Sequence, residues 1–171
     1  QQAQWAAEDH LVALEYLNRQ AAQSIGWKPD LYLLAEFEDE SGDIVDPGEM
    51  SAIWRTRDGL YPMLARNGYP VIEDPQIGEE NLGPILDWLD KCCIPVFGHL
   101  GVGILHPCFS ANDDRVNTLY ERVAEVGGKV SGEHGIGLKK IIWMDASLQS
   151  EIRRLKAVHD PRNVINRGKL C

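Results

Sequence analysis

The run IPVFGHLGVGILH at residues 94–106 predicts two antiparallel strands joined by a glycine-rich turn. Residues 94–98 form a short apolar run typical of a buried strand, and residues 104–106 are expected to begin the returning strand. Glycines within the run allow the backbone to turn sharply between the two strands. We therefore expect His99 and His106, which are seven residues apart, to converge across this turn.

Apolar periodicity along the rest of the chain predicts an alternation of helices and short strands. Apolar residues from Leu11 to Ala21 recur at spacings of three and four, which indicates a helix. In the last predicted helix, Leu148, Ile152 and Leu155 are expected to face inward. The predicted helices cover residues 5–25, 50–67, 77–91, 113–126 and 145–158, and the predicted strands cover residues 31–37, 69–72 and 129–131.

Because the strands are few and short, the pattern favours an α+β fold over a long parallel sheet. We predict a ferredoxin-like split β-α-β arrangement, in which helices flank an antiparallel sheet. At 171 residues, the chain is treated as one domain that covers residues 1–171. Its first residues lack an initiator Met, a basic flank and an apolar leader, so we expect a piece of a longer protein.

The net charge of −9 is unevenly distributed along the chain. Residues 1–90 hold 18 acidic and 5 basic residues, whereas residues 91–171 hold 8 acidic and 12 basic ones. The acidic half argues against a nucleic-acid partner, since phosphate binding needs a basic face. The basic half contains the histidines and suits an anionic small molecule, although an unevenly solvated surface explains the charge equally well. No apolar run approaches the roughly 20 residues of a transmembrane helix.

The four cysteines show no CxxC spacing of the kind found in zinc or iron–sulfur sites. Cys92 and Cys93 follow a predicted helix and precede an apolar strand, so we expect them to be buried thiols. Cys108 is also expected to be a buried thiol. This usage indicates a reduced chain in the cytoplasm.

A second glycine-rich segment, SGEHGIG at residues 131–137, supplies Glu133 and His134. Neutral imidazole is a common metal ligand, and two histidines with one carboxylate make a site with open positions. Glu133 is the natural third ligand beside His99 and His106, which would make a catalytic metal site. The alternative is that both histidines only cap turns by hydrogen bonding. Lys139 and Lys140 are expected in a solvated turn.

Several motifs together resemble one known family. GHLGVGILH, SGEHGIGLKK, KAVHDPRNV and NRGKL occur in this order, and WRTRDGL and GYPVIEDP precede them. They are similar to the C-terminal, substrate-side domain of FAD-linked oxidases of the D-lactate dehydrogenase, glycolate oxidase and D-2-hydroxyglutarate dehydrogenase group. The resemblance covers most of residues 50–170.

The resemblance implies that a D-2-hydroxy acid of lactate or glycolate type is oxidised to a 2-oxo acid with hydride transfer to FAD. By position, His99, His106 and Glu133 match the ligands of a divalent metal (zinc, manganese or iron) in metal-dependent members. His134 matches the base that takes the hydroxyl proton.

Other positions of the resemblance concern the substrate and the flavin. Arg57 matches the arginine that grips the substrate carboxylate, and Asn166 and Lys169 fall in the tail that lies near the flavin. Val102 and Ile104 stand where the family has Asp and Asn, a departure that weakens the expectation of a metal.

The flavin-binding domain of the family is a separate unit, and nothing in this chain resembles it. Because the chain is predicted to open in a helix, we expect the domain to be truncated at its N-terminus. Without a flavin-binding domain, we expect it to be inactive alone. Apolar surface that would contact FAD and the flavin-binding domain is expected to favour self-association. Two alternatives remain: a non-catalytic relative that keeps the fold, and a metal-binding module without turnover.

Overall fold

The computed structural model describes residues 10–38, 42–44 and 46–169. Its five strands form one sheet in the order β2-β1-β4-β5-β3, and all pairings between them are antiparallel. The α+β class with an antiparallel sheet flanked by helices is thereby confirmed. The strands are β1 Leu11–Leu17, β2 Tyr32–Phe37, β3 Val71–Ile72, β4 Val96–His99 and β5 Ile104–Phe109.

Six α-helices occur in the described part of the chain. They are α1 Arg19–Ser24, α2 Pro47–Asp58, α3 Leu60–Arg66, α4 Glu79–Lys91, α5 Arg115–Glu125 and α6 Ala146–His159. The predicted helix at residues 50–67 is therefore two helices, which meet at Gly59. The predicted strand at residues 129–131 is reduced to isolated bridges with Gln76 and Asp74.

The central strands of the sheet are buried on both faces, because helices pack against each face. The larger apolar cluster joins one face of the sheet to α4 and α5, with Leu14 and Leu105 among its sheet residues. The smaller cluster joins the other face to α1 and α3, and it includes Leu17, Phe97 and Cys108. This second face also carries the histidines, so α1 and α3 lie on the same side of the sheet as the candidate site.

The prediction of a helix at residues 5–25 is wrong over residues 11–17, which form strand β1. Four consecutive residues, 14–17, are buried, as expected for a strand covered on both faces rather than for an amphipathic helix. Asn18 then ends the strand and caps α1, accepting from the amides of Ala21 and Val96 at 3.1 and 2.9 Å. The expectation of a truncated domain rested on a helix at the start of the chain. Because residues 11–17 form a strand, that reason no longer holds. Residues 5–9 lie outside the described residues.

The inward face predicted for the last helix is also wrong. Helix α6 lies within one residue of its predicted bounds, but none of its residues is buried. Leu148 and Leu155 are 46% and 42% exposed. Ile152 is partly buried, so the apolar face of α6 is only partly covered by the described residues.

The thiols differ from the prediction in one respect. Cys108 is buried in the smaller cluster, as expected, whereas Cys93 is exposed and Cys92 is partly buried. Cys93 takes a positive φ of 52° in the turn after α4, which places it at the surface. Burial raises the pKa of the Cys108 thiol to about 12, so this group is inert.

No helix in the described ranges is both long enough and apolar enough to cross a membrane.

Candidate functional site

The strand–turn–strand at residues 94–109 forms as expected and carries both histidines on one face. Strands β4 and β5 are antiparallel partners, with Phe97 opposite His106 and His99 opposite Ile104. The turn is a 3-10 segment, Leu100–Val102, closed by Gly103 in the left-handed region at a φ of 69°. Phe97 and His99 are two residues apart on β4, so they point to the same face of the sheet. His106 is the cross-strand partner of Phe97 and therefore points to that face as well.

His99, His106 and Glu133 converge into one cluster. One ligand atom from each side chain lies within 4.8 Å of the others. Glu133 Oε1 is 2.8 Å from His106 Nε2 and 3.8 Å from His99 Nε2. Two imidazole nitrogens and a carboxylate oxygen at this spacing fit a divalent transition metal with open coordination positions. Whether they act as its ligands stays a prediction.

Each histidine of the cluster has an acceptor behind its Nδ1 atom. His99 Nδ1 lies 2.6 Å from Glu15 Oε1, and His106 Nδ1 lies 3.4 Å from the Glu73 carbonyl oxygen. A proton on Nδ1 leaves Nε2 with its lone pair, which is what a metal ligand needs. At His99 this arrangement holds without a metal, because Nε2 is 3.8 Å from Glu133 Oε1. At His106 the 2.8 Å contact between Nε2 and Glu133 Oε1 is that of a hydrogen bond, so a metal would take the place of the Nε2 proton.

His106 is buried and surrounded by other rings. Burial lowers its pKa to about 4, although the negative charge of Glu133 acts in the opposite direction and His99 adds to the lowering. The ring of His106 stacks on that of His134, with centroids 5.2 Å apart and planes 16° apart. His106 is therefore neutral near pH 7, the form that can bind a metal.

His134 lies at the open side of the cluster, with its side chain 40% exposed. Its Nε2 atom is 3.7 Å from Glu133 Oε1, and its Nδ1 atom is 3.9 Å from Asp74 Oδ1. Both distances exceed a hydrogen bond. The ring is thus held by stacking on His106, and its nitrogens are accessible to a bound molecule.

Asp74 fixes the loop that carries Glu133 and His134. Its Oδ2 atom accepts from the amides of Glu133 and His134 at 2.7 and 2.6 Å and from Ser131 Oγ at 2.7 Å. Burial alone would raise the pKa of Asp74, but hydrogen bonds from Lys140, these amides and Ser131 lower it to about 2. Asp74 is therefore an anion that organises the loop.

The prediction that Lys139 and Lys140 lie in a solvated turn is wrong for Lys140, whereas Lys139 lies in a turn with 55% of its side chain exposed. Lys140 is buried and forms ion pairs with Glu73, at 3.0 Å, and with Asp74. Lys139 Nζ lies 2.6 Å from Glu73 Oε1. Burial opposes ionisation of Glu73, but hydrogen bonds from both lysines lower its pKa. The two lysines compensate two buried carboxylates behind the cluster.

Arg57 reaches the cluster from the last turn of α2. Its Nε and Nη2 atoms donate to Glu15 Oε2 at 2.9 and 2.6 Å, and its guanidinium lies over the Phe97 ring. Its Nη2 atom is 3.4 Å from His99 Nδ1. The structure thus brings together Arg57, His134 and the three predicted ligands.

Glu15, like Asp74, is a residue of the site that the sequence did not reveal. It lies on β1 directly opposite His99 and is almost fully buried. The assignment of residues 5–25 to a helix hid its role, since a helical Glu15 would not face β4. The available signal was one acidic residue inside the apolar run LVALEYL.

Val102 and Ile104 give the turn an apolar character. Val102 is largely exposed, whereas Ile104 is buried against the loop of the second histidine segment. A Cβ at Gly132 would lie 2.8 Å from the Ile104 side chain, so this glycine permits the close approach of the loop. Ile104 therefore helps to seat Glu133 beside the histidines.

Comparison with known proteins assigns the family. A family model described as "FAD linked oxidases, C-terminal domain" matches residues 33–170. The chain belongs to this family. The glycolate oxidase subunit GlcD of Bacillus subtilis (strain 168) is 36% identical, over 71% of this chain and 30% of its own length.

Two further relatives of this FAD-linked oxidase domain are dehydrogenases. The D-lactate dehydrogenase of Anaerostipes hadrus is 36% identical over 44% of this chain and 19% of its own length. The D-2-hydroxyglutarate dehydrogenase of Pantoea ananatis (strain AJ13355) is 31% identical over 60% of this chain and 12% of its own length. The domain thus spans less than a third of each of these relatives.

Asn166 and Lys169, which were predicted to lie near a flavin, follow the last helix of this FAD-linked oxidase domain. Both are exposed in the turn that follows α6, where the Lys169 amide donates to the Asn166 carbonyl at 3.1 Å. Within the described residues, no hydrogen bond or ion pair joins either side chain to the cluster. Their proximity to a flavin stays a prediction.

The domain also has a cleft of about 420 Å³ beside the turn, lined by Leu14, Ile77 and Lys129 among others. Leu14 belongs to the larger core, on the sheet face opposite the histidines. The residues of the cleft include neither the histidines nor Arg57 or Glu133. The convergent polar groups, rather than this cleft, mark the candidate site.

Proposed function

We propose that this domain binds a D-2-hydroxy acid of lactate or glycolate type and presents it for oxidation to the 2-oxo acid within an FAD-dependent dehydrogenase. The observation that carries the proposal is the convergence of Arg57, His134 and the cluster of His99, His106 and Glu133 on one face of the sheet. The family match and the names of the three relatives support it.

His99, His106 and Glu133 would hold a divalent metal, with zinc, manganese and iron as the candidates. When bound, such an ion supplies a Lewis acid that lowers the pKa of an oxygen it contacts. The neutral form of His106 and the Nδ1 acceptors behind both rings support this assignment. The apolar turn at Val102 and Ile104 offers no further polar group to the cluster, so we expect no metal ligand from this turn.

Arg57 would bind the carboxylate of the substrate. The Nε and Nη2 atoms already contact Glu15, so the Nη1 side of the planar guanidinium remains for a second carboxylate. Asp58, which is exposed and 3.6 Å from Nη1, is the group that a substrate would displace. Arg57 would therefore fix the orientation of the acid relative to the histidines.

His134 would accept the hydroxyl proton of the substrate. Its ring nitrogens are accessible, and stacking on His106 fixes the plane of the ring. In the overall reaction the hydroxyl proton passes to His134 while the hydrogen on carbon 2 leaves as hydride, which gives the 2-oxo acid. FAD supplies the acceptor for that hydride, and we propose that a flavin-binding domain elsewhere in the parent chain holds it, with Asn166 and Lys169 facing the flavin.

The test of this proposal is the metal content of the purified chain beside that of the His106→Ala variant, measured by elemental analysis. We expect near-stoichiometric zinc, manganese or iron in the wild type and loss of the metal in the variant. Equal metal content in both proteins would remove the cluster from the proposal. Glu151→Gln, which changes an exposed carboxylate of α6, is the control that should retain the metal.

A further inference from the structure

Glu15 is a buried carboxylate with both oxygens engaged by groups of the candidate site. Its Oε1 atom lies 2.6 Å from His99 Nδ1, and its Oε2 atom accepts from Arg57 at 2.9 and 2.6 Å. We propose that Glu15 is a positioning residue that selects the tautomer of His99 and orients Arg57 at the same time. The inference rests on the proposed function and deepens it.

The contact to His99 determines where the imidazole carries its proton. An ionised carboxylate offers only acceptors, and an unprotonated Nδ1 at 2.6 Å would place two lone pairs against each other. The proton therefore lies on Nδ1, and Nε2 keeps its lone pair facing Glu133. A carboxylate behind a ligating histidine raises its basicity and fixes the ring.

The contact to Arg57 fixes the guanidinium before any substrate arrives. Arg57 is one of the longest and most flexible side chains, yet only 14% of it is exposed. The two donors on Glu15 Oε2 and the Phe97 ring beneath hold it in one place. Ordering the side chain in the free protein removes part of the entropy cost of binding.

The sheet explains why a single residue can serve both groups. Glu15 is the cross-strand partner of His99 in the pairing of β1 with β4. Cβ atoms of such partners lie about 5 Å apart, so the distance to the imidazole is fixed by the backbone. A buried charge is costly unless paired, and here two groups pair with it.

Glu15→Gln is the sharpest variant, because the amide keeps the size of the carboxylate. Its oxygen would accept from Arg57, which turns the NH₂ group towards His99. An NH₂ donor favours an unprotonated Nδ1, so the proton would move to Nε2, where it blocks metal binding. Glu36→Gln is the control, since Glu36 lies on β2 opposite Ala13 rather than opposite His99.

The experiment records the imidazole nitrogens of the metal-free chain by long-range ¹H–¹⁵N NMR, at about pH 8.5, two units above the ordinary histidine pKa. We expect the Nδ1–H tautomer of His99 in the wild type and in Glu36→Gln, and a shift towards Nε2–H in Glu15→Gln. An unchanged His99 tautomer in Glu15→Gln would overturn the inference. If that variant does not fold, Glu15→Leu combined with Arg57→Met removes both the unpaired cation and the acceptor at His99 Nδ1, and loss of the Nδ1–H preference is again the expected result.

A second readout is the affinity for Zn²⁺, measured by competition with a chromogenic chelator. Glu15→Gln should weaken Zn²⁺ binding about tenfold or more, and it should have no further effect when His99 is already replaced by Ala. An equal loss in the His99→Ala background would contradict action through His99. If the wild type binds no Zn²⁺ but its His99 tautomer depends on Glu15, the proposed metal site is wrong and the proposed role of Glu15 stands.

Discussion

Asp74 shows how one buried side chain can build a loop that is distant in sequence. It accepts hydrogen bonds from two amides and a hydroxyl group of residues 131–134, and it forms an ion pair with the buried Lys140. Glu133 and His134 therefore owe their positions to a residue about 60 positions earlier. Glycine-rich loops have little intrinsic order, so the anchoring carboxylate supplies it.

Replacement of Asp74 should destabilise the fold and loosen the loop. In Asp74→Asn, Lys140 loses one of its two carboxylate partners inside the protein, and we expect a loss of about 3 kcal/mol in the free energy of unfolding. Urea denaturation at neutral pH measures this loss. Glu151→Gln, which breaks an exposed ion pair with Arg154, should leave the midpoint unchanged.

The stability lost in Asp74→Asn should also depend on pH. The pKa of Asp74 in the folded protein is lowered to about 2. The charge of Asp74 therefore contributes fully to the free energy of unfolding above the ordinary aspartate pKa, and this contribution is lost as the pH falls through 2. The stability difference between wild type and Asp74→Asn should therefore narrow as the pH falls from about 4 towards 2. A difference that stays constant over this range would show that the charge of Asp74 does not stabilise the fold.

The two glycine-rich segments pointed to four of the groups that converge, His99, His106, Glu133 and His134, and the family resemblance added Arg57. Two residues that organise them, Glu15 and Asp74, could not be found in this way. Their roles come from partners 84 and 57–66 positions away in the sequence. A carboxylate that accepts several donors has no short-range pattern, so only the fold reveals it.

At the scale of the elements, the turn between β4 and β5 determines the spacing of the two histidines. Gly103 has a φ of 69°, and a Cβ at this position would lie 2.2 Å from the Ile77 carbonyl oxygen. The Ile77 amide also donates to the Gly103 carbonyl at 2.8 Å. The turn is thus docked on the segment that leads into α4, and both strand ends are held in register.

Gly103→Ala should disrupt this docking. The new methyl group would meet backbone rather than a flexible side chain, and we expect a loss of at least about 2 kcal/mol in the free energy of unfolding. Gly135→Ala is the matched control, because Gly135 also has a positive φ but open space around it. The control should cost about 1 kcal/mol from backbone strain alone. Equal costs in the two variants, measured by thermal or urea unfolding, would show that the contact with Ile77 is unimportant.

The spacing of apolar residues predicted helices and strands well where one periodicity dominated. It predicted them poorly where an element is buried on both of its faces. Helices α4 and α5 have a single apolar stripe and were found near their observed bounds. Strand β1 is buried on both faces, and its spacing of leucines also fits a helix. Tertiary contacts with β2 and β4 decide between the two, and such contacts have no signature in a short window.

At the scale of the whole molecule, several apolar side chains in and around α6 are exposed. Besides Leu148 and Leu155 of α6, Ile142 before the helix and Val164 and Ile165 after it are exposed. An exposed apolar surface of this kind marks an interaction site or a tendency to associate. The predicted self-association and the predicted contact with a flavin-binding domain are both consistent with this surface, and both stay predictions.

The proposed function requires a hydroxy acid to bind where Arg57 and the histidine cluster meet. Isothermal titration of the chain with D-lactate, with and without Zn²⁺, tests it most directly, with propanoate as the control that lacks the hydroxyl group. We expect Zn²⁺ to tighten D-lactate binding about tenfold or more while propanoate changes little, and we expect Arg57→Gln to weaken both acids. Zn²⁺-independent binding that does not distinguish the two acids would contradict the account.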